Sequence, residues 1–141
     1  MGISLKKARV IVRKTLQAGR DMDLKPLSVI VVDAGGHVQA FEREDGASPG
    51  RFQIAQGKAY AAVMLGIPSS SIGNMAIERP HFGASLNAAF DGKVIPVAGG
   101  VLIKDRKGEI VGAVGVTGDT SDNDAAAALA GVQEAGLEGV A

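Results

Sequence analysis

The segment IVGAVGVTGD, residues 110–119, is an apolar, β-branched run in which every third position is a glycine. β-branched residues favour strands, so the segment predicts one. Because side chains alternate along a strand, Gly112 and Gly118 lie on one face and Gly115 on the other. A glycine inside a strand lets another group approach the main chain closely. The segment therefore predicts a strand closely covered on both faces, by a packed helix or by a ligand.

Hydrophobic periodicity and turn residues predict the other elements around this strand. Their predicted bounds are a helix over 5–22 capped by Ser4, strands over 27–33 and 37–43, a helix over 51–65, one or two helices over 69–89 broken at Pro80, strands over 94–104 and 109–117, and a final helix beginning at Ser121 or Asp122. Ser121 and Asp124 have the spacing of a capping box for that final helix. The order helix, hairpin, helices, hairpin, helix predicts an α+β fold, with an antiparallel sheet flanked by helices, in one domain over 1–141.

The helix predicted over 51–65 has apolar residues nearly all round its axis. Such a helix is buried on several sides. In a chain of 141 residues, we expect a subunit interface to cover the second side. This pattern predicts a homo-oligomer.

Charge and composition exclude several classes of function. The 15 basic and 15 acidic residues cancel, so no long-range attraction to nucleic acid or to an anionic membrane is expected. The chain has no cysteine, which excludes disulfides, thiolate metal sites and cysteine nucleophiles. No apolar run is long enough to span a bilayer, and no secretory signal precedes Lys6. A cytoplasmic protein is the expectation, with room left for a trimmed signal peptide.

Common catalytic and nucleotide-binding motifs are absent. Gly57-Lys58 is followed by Ala59, so the phosphate-loop pattern fails. The glycines of segment 110–119 do not have the dinucleotide-binding spacing, and no nucleophile elbow is present. Any chemistry must therefore come from residues without a diagnostic motif.

The two histidines, His37 and His81, are candidate haem-iron ligands or general bases, because a neutral imidazole coordinates metal and titrates near pH 7. The alternative for each is a solvated polar residue in a turn or at a helix start. Asp33 ends an apolar strand, where a carboxylate needs partners. It either moves a proton or accepts the turn amides of Gly35 and Gly36.

A second set of candidates lies at strand ends. Asp33, Arg43, Asp45 and Asp124 form a predicted polar patch that holds a small carboxylate ligand, with Arg43 as the bidentate donor. Thr117 is a further candidate ligand contact. The alternative is that Arg43 and Asp45 pair with each other. Gly99 and Gly100 are further candidate ligand contacts, because side-chain-free main chain admits a neighbouring layer or a guest molecule.

Several segments in order resemble the GlcG/HbpS family. They are VVDAGGH at 31–37, Arg43 to Ala47, Gln56-x-Lys58-Ala59-Tyr60-x-Ala62, Gly99-Gly100-Val101, VGAVGVTG at 111–118, and Asp124. The resemblance implies a profilin-like or PAS-like antiparallel sheet flanked by helices, assembled into oligomers of up to eight subunits. It also implies haem as the leading ligand, although other family members are encoded with small-metabolite pathways. Asp119, Asn123 and the segment 78–82 depart from the family pattern.

Three hypotheses follow. The first is an oligomeric protein that binds a small ligand, haem or another tetrapyrrole, through His37 or His81, with Tyr60, Met64 and Met75 as further candidates. The second is an isomerase or lyase acting on a small hydroxy or keto acid. In that case Arg43 holds the carboxylate, and Asp33, His37 or His81 moves a proton. The third is a structural or signalling subunit that works through its assembly.

Overall fold

The elements follow the predicted order of helix, hairpin, helices, hairpin and helix. The computed structural model describes residues 2–141. Its elements in that part of the chain are α1 (Leu5–Asp21), β1 (Ser28–Asp33), β2 (Val38–Arg43), α2 (Arg51–Leu65), α3 (Ser69–Glu78), α4 (Pro80–Ala89), β3 (Gly100–Lys104), β4 (Ile110–Thr117), α5 (Ser121–Glu134) and β5 (Glu138–Val140). The predicted α+β class is confirmed.

The strands form one antiparallel sheet in the order β2-β1-β4-β3-β5. The glycine-bearing strand β4 is therefore in the middle, paired with β1 on one side and β3 on the other. Helices α1 and α5 pack on one face of the sheet, and α2 packs on the other. Helices α3 and α4 form a further layer against α2. The helices thus cover both faces of the sheet.

Packing explains the glycine at position 115. A Cβ atom there would meet the carbonyl oxygen of Ala55 and would lie 3.0 Å from the side chain of Ala59, both in α2. On the opposite face, a Cβ at Gly112 would lie 3.4 Å from the side chain of Ile3. Each face of β4 is covered by protein, as the period-three pattern predicted.

The long helices begin and end for local reasons. The hydroxyl of Ser4 accepts the Lys7 N–H at 3.1 Å and caps α1, as predicted. Helix α1 buries Ala8, Ile11 and Val12 on one stripe against the sheet and α5. Helix α2 has the predicted bounds.

The second side of α2 is covered within the same chain. Ala61 of α2 is fully buried in a cluster with Ile72 of α3, Leu86 of α4 and Val94. Helix α2 therefore needs no second subunit on that side, and the reason given above for a homo-oligomer is wrong. The apolar pattern correctly indicated burial on several sides but did not indicate which residues supply the cover.

One predicted strand start and one predicted helix cap are wrong. Strand β3 begins at Gly100 rather than at 94, because Pro96 has no N–H for a sheet ladder and Ile95 donates instead to the Gly57 carbonyl of α2 at 3.3 Å. Helix α5 begins at Ser121, one of the two predicted starts, but its cap is Thr120, whose hydroxyl accepts the Asn123 N–H at 3.3 Å. Asp124 does not serve as the predicted capping-box acid.

Strand β5 was not predicted. It has three residues, which is too short for a periodic pattern, and it pairs with β3 at the edge of the sheet. Within residues 2–141, no helix combines the length and the apolar character that a membrane crossing requires.

Candidate functional site

The turn between β1 and β2 brings Asp33 and His37 together. One carboxylate oxygen of Asp33, Oδ1, accepts the backbone N–H groups of Gly35 and His37, each at 2.9 Å. The same oxygen lies 3.1 Å from Nδ1 of the His37 ring. Asp33 therefore forms the turn and contacts the imidazole at once. The predicted acceptor role holds for Gly35, but the second amide is that of His37 rather than Gly36.

This contact assigns the proton of the neutral imidazole. Burial acts to raise the pKa of Asp33, but the amides of His37 and Gly35 and the imidazole outweigh it, and the pKa falls below its ordinary 3.8. An ionised carboxylate only accepts hydrogen bonds, so Nδ1 of His37 donates. The free lone pair is then on Nε2, in a side chain that is 81% exposed. In its neutral form, His37 therefore presents the Nε2 lone pair to its surroundings.

The tip of the hairpin packs against α2. A Cβ at the buried Gly36 would lie 2.9 Å from the ring of Tyr60 and 3.1 Å from the methyl group of Met64. Both of these α2 side chains are half-buried. His37 is therefore next in sequence to a residue that touches Tyr60 and Met64.

Apolar side chains continue along β2 on the same side of the sheet. Val38 is opposite Val32 of β1, which packs beneath α2, so Val38 faces that side and is 44% exposed. Phe41 packs edge-on against Phe52 of α2, with 4.8 Å between ring centroids. We call this surface the α2–β2 strip, and its residues are Val38, Phe41, Phe52, Tyr60 and Met64. The strip runs from the hairpin that carries His37 toward the start of α2.

His81 has a different setting. It is the second residue of α4 and is exposed, and within residues 2–141 its ring takes part in no hydrogen bond or ion pair. The nearby Arg79 guanidinium lies over the Phe82 ring at 4.7 Å. Met75, in α3, is half-buried. No group of three or more His, Asp or Glu residues within 2–141 is arranged to hold a metal ion.

Arg43 and Asp45 lie at the other end of the β1–β2 pair. Arg43 is opposite Ser28, the first residue of β1, whereas Asp33 is its last residue. A strand of this length separates its ends by about 17 Å. Within one chain, Arg43 and His37 therefore lie too far apart to contact the same small acid, and the isomerase or lyase hypothesis stays a prediction.

The guanidinium of Arg43 is already engaged by its own loop. Its Nη1 donates to the carbonyl of Ala47 at 2.8 Å, and within residues 2–141 no ion pair joins it to Asp45. An open cavity of about 470 Å³ lies beside it. Three carboxylates line this cavity, those of Glu42, Glu44 and Asp45. The guanidinium groups of Arg20 and Arg43 also line the cavity, and Arg20 pairs with Glu44 at 3.1 Å, so the lining carries mixed charge.

A buried ion pair joins Lys58 and Asp124, of which only Asp124 was predicted as a site residue. Lys58 of α2 and Asp124 of α5 have side chains that are 3% and 1% exposed, with 3.2 Å between Nζ and Oδ2. Lys58 Nζ also donates to the Val116 carbonyl at 2.9 Å, and the other oxygen of Asp124 accepts the Asp119 N–H at 2.9 Å. Burial lowers the pKa of Lys58 and raises that of Asp124, while their mutual attraction opposes both shifts.

This pair occupies the region predicted to contact a ligand. A Cβ at Gly99 would lie 2.8 Å from Lys58 Nζ, and a Cβ at Gly100 would lie 2.7 Å from the hydroxyl of Ser69. The hydroxyl of Thr117 accepts Nη1 of Arg51 at 2.8 Å. In this structure Gly99, Gly100, Thr117 and Asp124 all contact protein groups, which join α2, β4 and α5. These residues therefore have a structural role in this structure: their contacts hold α2, β4 and α5 together.

One feature of the sequence could have identified Lys58 as a buried charge. It is the only charged residue between Arg51 and Leu65, in a helix that is apolar nearly all round. A buried cation requires a buried acid. Asp124 was singled out among the polar candidates, but nothing in the sequence joins it to Lys58 across 66 positions.

The family and fold expected from the motifs are confirmed by comparison with known proteins. A family model described as "Haem degrading protein HbpS-like" matches residues 3–133. The crystal structure of a PduOC–haem complex is 20% identical with a TM-score of 0.87, and covers 100% of both chains. A double mutant of Streptomyces reticuli HbpS is 27% identical with a TM-score of 0.81, over 95% of this chain and 87% of that one. The Klebsiella pneumoniae protein ORFY is 23% identical with a TM-score of 0.84, over 95% and 90%. No match is found among curated proteins.

Proposed function

The chain belongs to the HbpS-like family, and we propose that it binds haem at the β1–β2 hairpin, with Nε2 of His37 as an iron ligand. The description of the family refers to haem, and one solved structure with this fold is a haem complex. These likenesses suggest the ligand. The residues that hold it are proposed from this chain alone.

The observation that carries the proposal is an exposed, oriented imidazole beside an apolar surface. Haem is a flat, mostly apolar molecule whose iron is commonly held by a neutral histidine nitrogen. His37 offers that nitrogen, because its Nδ1 is directed to Asp33. The α2–β2 strip offers apolar and aromatic side chains next to it, the type of lining that ligand sites commonly have.

Bound haem would supply redox chemistry at its iron. The contribution of this chain is binding and orientation: Asp33 holds the His37 ring, and Tyr60 and Met64 support the hairpin tip from below. His81 offers an imidazole without a carboxylate partner among residues 2–141. His37 is therefore preferred over His81 as the iron ligand.

A haem titration followed by the Soret band tests the proposal. We expect wild-type protein and His81→Ala to give the same red-shifted band and affinity, and His37→Ala to lose the shifted band. Both histidines are exposed, so His81→Ala is a matched control for the removal of an imidazole. A shifted band that is unchanged in His37→Ala would disprove the assignment.

A pair of valines tests the location on the α2–β2 strip. Val38 and Val97 are 44% and 42% exposed, but only Val38 belongs to the strip. We expect Val38→Asp to weaken haem binding, because a carboxylate on an apolar contact surface must be desolvated. Val97→Asp should bind as wild type. Equal effects of the two substitutions would place haem elsewhere.

Self-association and cytoplasmic location remain predictions. The fold leaves some large apolar side chains exposed, of which Ile77 of α3 is the most exposed at 79%. We expect a homo-oligomer in sedimentation velocity at micromolar concentration. A monomer under those conditions would contradict this expectation and leave the haem proposal untouched.

A further inference from the structure

The β3–β4 hairpin has the same turn as the β1–β2 hairpin. In the β3–β4 turn, Oδ1 of Asp105 accepts the N–H groups of Lys107 and Glu109 at 2.9 and 3.0 Å. These residues are two and four positions after the aspartate, as Gly35 and His37 are after Asp33. The two aspartates therefore perform the same task in turn formation.

The main chains of the two turns also agree. The aspartate N–H donates to the carbonyl four positions later at 2.9 Å in the first turn and 3.0 Å in the second. The fourth residue is a glycine in the left-handed region in both, with φ of 83° at Gly36 and 81° at Gly108. One local conformation is thus built twice in this chain.

The turns differ at the second and third positions, Ala34-Gly35 against Arg106-Lys107, and at the fifth, where His37 stands in the first and Glu109 in the second. Glu109 has no side-chain donor when ionised, yet its turn has the same backbone hydrogen bonds. This type of turn therefore forms without an imidazole. The 3.1 Å contact between Asp33 and His37 Nδ1 is additional to what the turn requires.

We propose that Asp33 is a positioning residue for the iron-binding imidazole of His37, and this rests on the proposed function. Its carboxylate fixes the proton on Nδ1, so that the lone pair of Nε2 is available to a metal. Metal-binding histidines commonly donate their other N–H to a carboxylate, which raises their basicity as ligands. A more basic ligand favours ferric over ferrous iron. Asp33 thus strengthens ferric haem binding and lowers the midpoint potential of the bound haem.

Asp33→Asn and Asp105→Asn are a matched pair of variants. An asparagine keeps a carbonyl oxygen that accepts both turn amides, but it removes the negative charge. We expect Asp33→Asn to weaken ferric haem binding about 10- to 100-fold and to raise the midpoint potential of the bound haem. Asp105→Asn should change neither quantity. Equal affinities and potentials in wild type, Asp33→Asn and Asp105→Asn would limit Asp33 to a role in the turn and overturn the inference.

His37→Glu separates this inference from the proposed function. Glutamate occupies the same turn position in the β3–β4 hairpin, so the substitution introduces a residue that this type of turn accepts at its fifth position. If His37→Glu binds haem as wild type does, the proposed iron ligand is wrong. If His37→Glu loses haem but Asp33→Asn behaves as wild type, only the role of Asp33 is wrong.

A measurement on the haem-free wild-type protein needs no variant. Nitrogen chemical shifts of the His37 ring report which nitrogen carries the proton in the neutral form. We expect the proton on Nδ1. A proton on Nε2 would contradict the proposed orientation even if every variant fails to fold.

Discussion

At the scale of single residues, the Lys58–Asp124 pair places two charges where water is almost absent. Each charge is compensated by the other and by one main-chain group: the Val116 carbonyl for Lys58 and the Asp119 N–H for Asp124. Removing one partner of such a pair leaves the other charge buried without compensation. The pair therefore makes α2 and α5 depend on each other.

We expect Lys58→Met to lower the free energy of unfolding at neutral pH by about 3–5 kcal/mol, as urea denaturation would measure. Lys14→Met on the exposed side of α1 is the control and should change it little. The loss should shrink as the pH falls toward 3.8, the ordinary pKa of an aspartate. Burial already raises the pKa of Asp124 above that value, and losing Lys58 raises it further. At a pH between the unfolded and folded pKa values of Asp124, the folded variant binds more protons than the unfolded one. The free energy of unfolding of the variant therefore increases as the pH falls. A loss that is the same at all pH values would show that Asp124 is not the residue left without compensation.

The sequence was informative about residues whose role is local and uninformative about those whose partner is distant. The turn role of Asp33 followed from the Asp-Ala-Gly-Gly pattern, because all of its partners lie within four positions. The Lys58–Asp124 ion pair was not predicted, because only the folded sheet brings these two distant residues together. Arg43 was assigned to a ligand, but its nearest acceptor is the carbonyl of Ala47, four positions away.

At the scale of elements, the junction before α5 depends on Asp119. Its carboxylate accepts the Asn123 side-chain amide at 2.8 Å, the Lys25 N–H at 2.9 Å and the Thr120 N–H at 2.8 Å. These hydrogen bonds, that of Asn123 first, lower its pKa to about 2. Asp119 thereby ties the start of α5 to the loop before β1.

We expect Asp119→Ala to destabilise the protein at neutral pH, and the difference from wild type to vanish in acid. The folded pKa is lower than the unfolded one, so the contribution of Asp119 is present above 3.8 and is lost as the pH falls through about 2. Urea denaturation of both proteins across that range measures the difference. A difference that persists below the folded pKa would mean that the charge of Asp119 is not what matters.

Gly115→Ala tests the contact between α2 and the sheet. The added methyl group would meet the Ala55 carbonyl in the interior, and we expect a loss of about 1–3 kcal/mol or more in unfolding free energy. Gly2→Ala is the control, because a Cβ there has nothing within 4 Å. Wild-type stability in Gly115→Ala would mean that α2 is free to move away from β4.

Elements were predicted well where a local signal ends them. Pro80 separates α3 from α4, and the bounds of α2 agree with its Gly50 and Gly66 neighbours. The predicted start of β3 was wrong, since Ile95 donates to the Gly57 carbonyl of α2. The predicted capping-box acid of α5 was wrong, since Asp124 pairs with Lys58 instead. A three-residue strand such as β5 exists only because β3 offers it an edge.

At the scale of the whole molecule, ligand binding must appear as added stability of the folded state. We expect a free haem concentration of a hundred times Kd to add about 2.7 kcal/mol. In a protein of this size that raises Tm by about 5–10 °C. Small hydroxy and keto acids should produce no shift, and His37→Ala should lose the shift given by haem. Stabilisation by an organic acid and not by haem would support the isomerase or lyase hypothesis instead.

The layered architecture and the family were predictable from the chain, because ordered motifs and element order are properties of sequence. The residues that cover the second side of α2 were not predictable, since an apolar surface does not indicate whether it packs against the same chain or another one. Leu86 of α4 and Ile72 of α3 supply that cover here.

The close contact between α2 and the sheet bears on how a bound haem would enter and leave the protein. Main chain rests on main chain at Gly100 and Gly115, so there is no room for a flat guest between the layers. A tetrapyrrole held at the hairpin would lie at the rim of the molecule, with one side facing outward. Haem bound there would enter and leave without a separation of the layers, and its residence time would depend on its bond to iron and on its contacts with the α2–β2 strip.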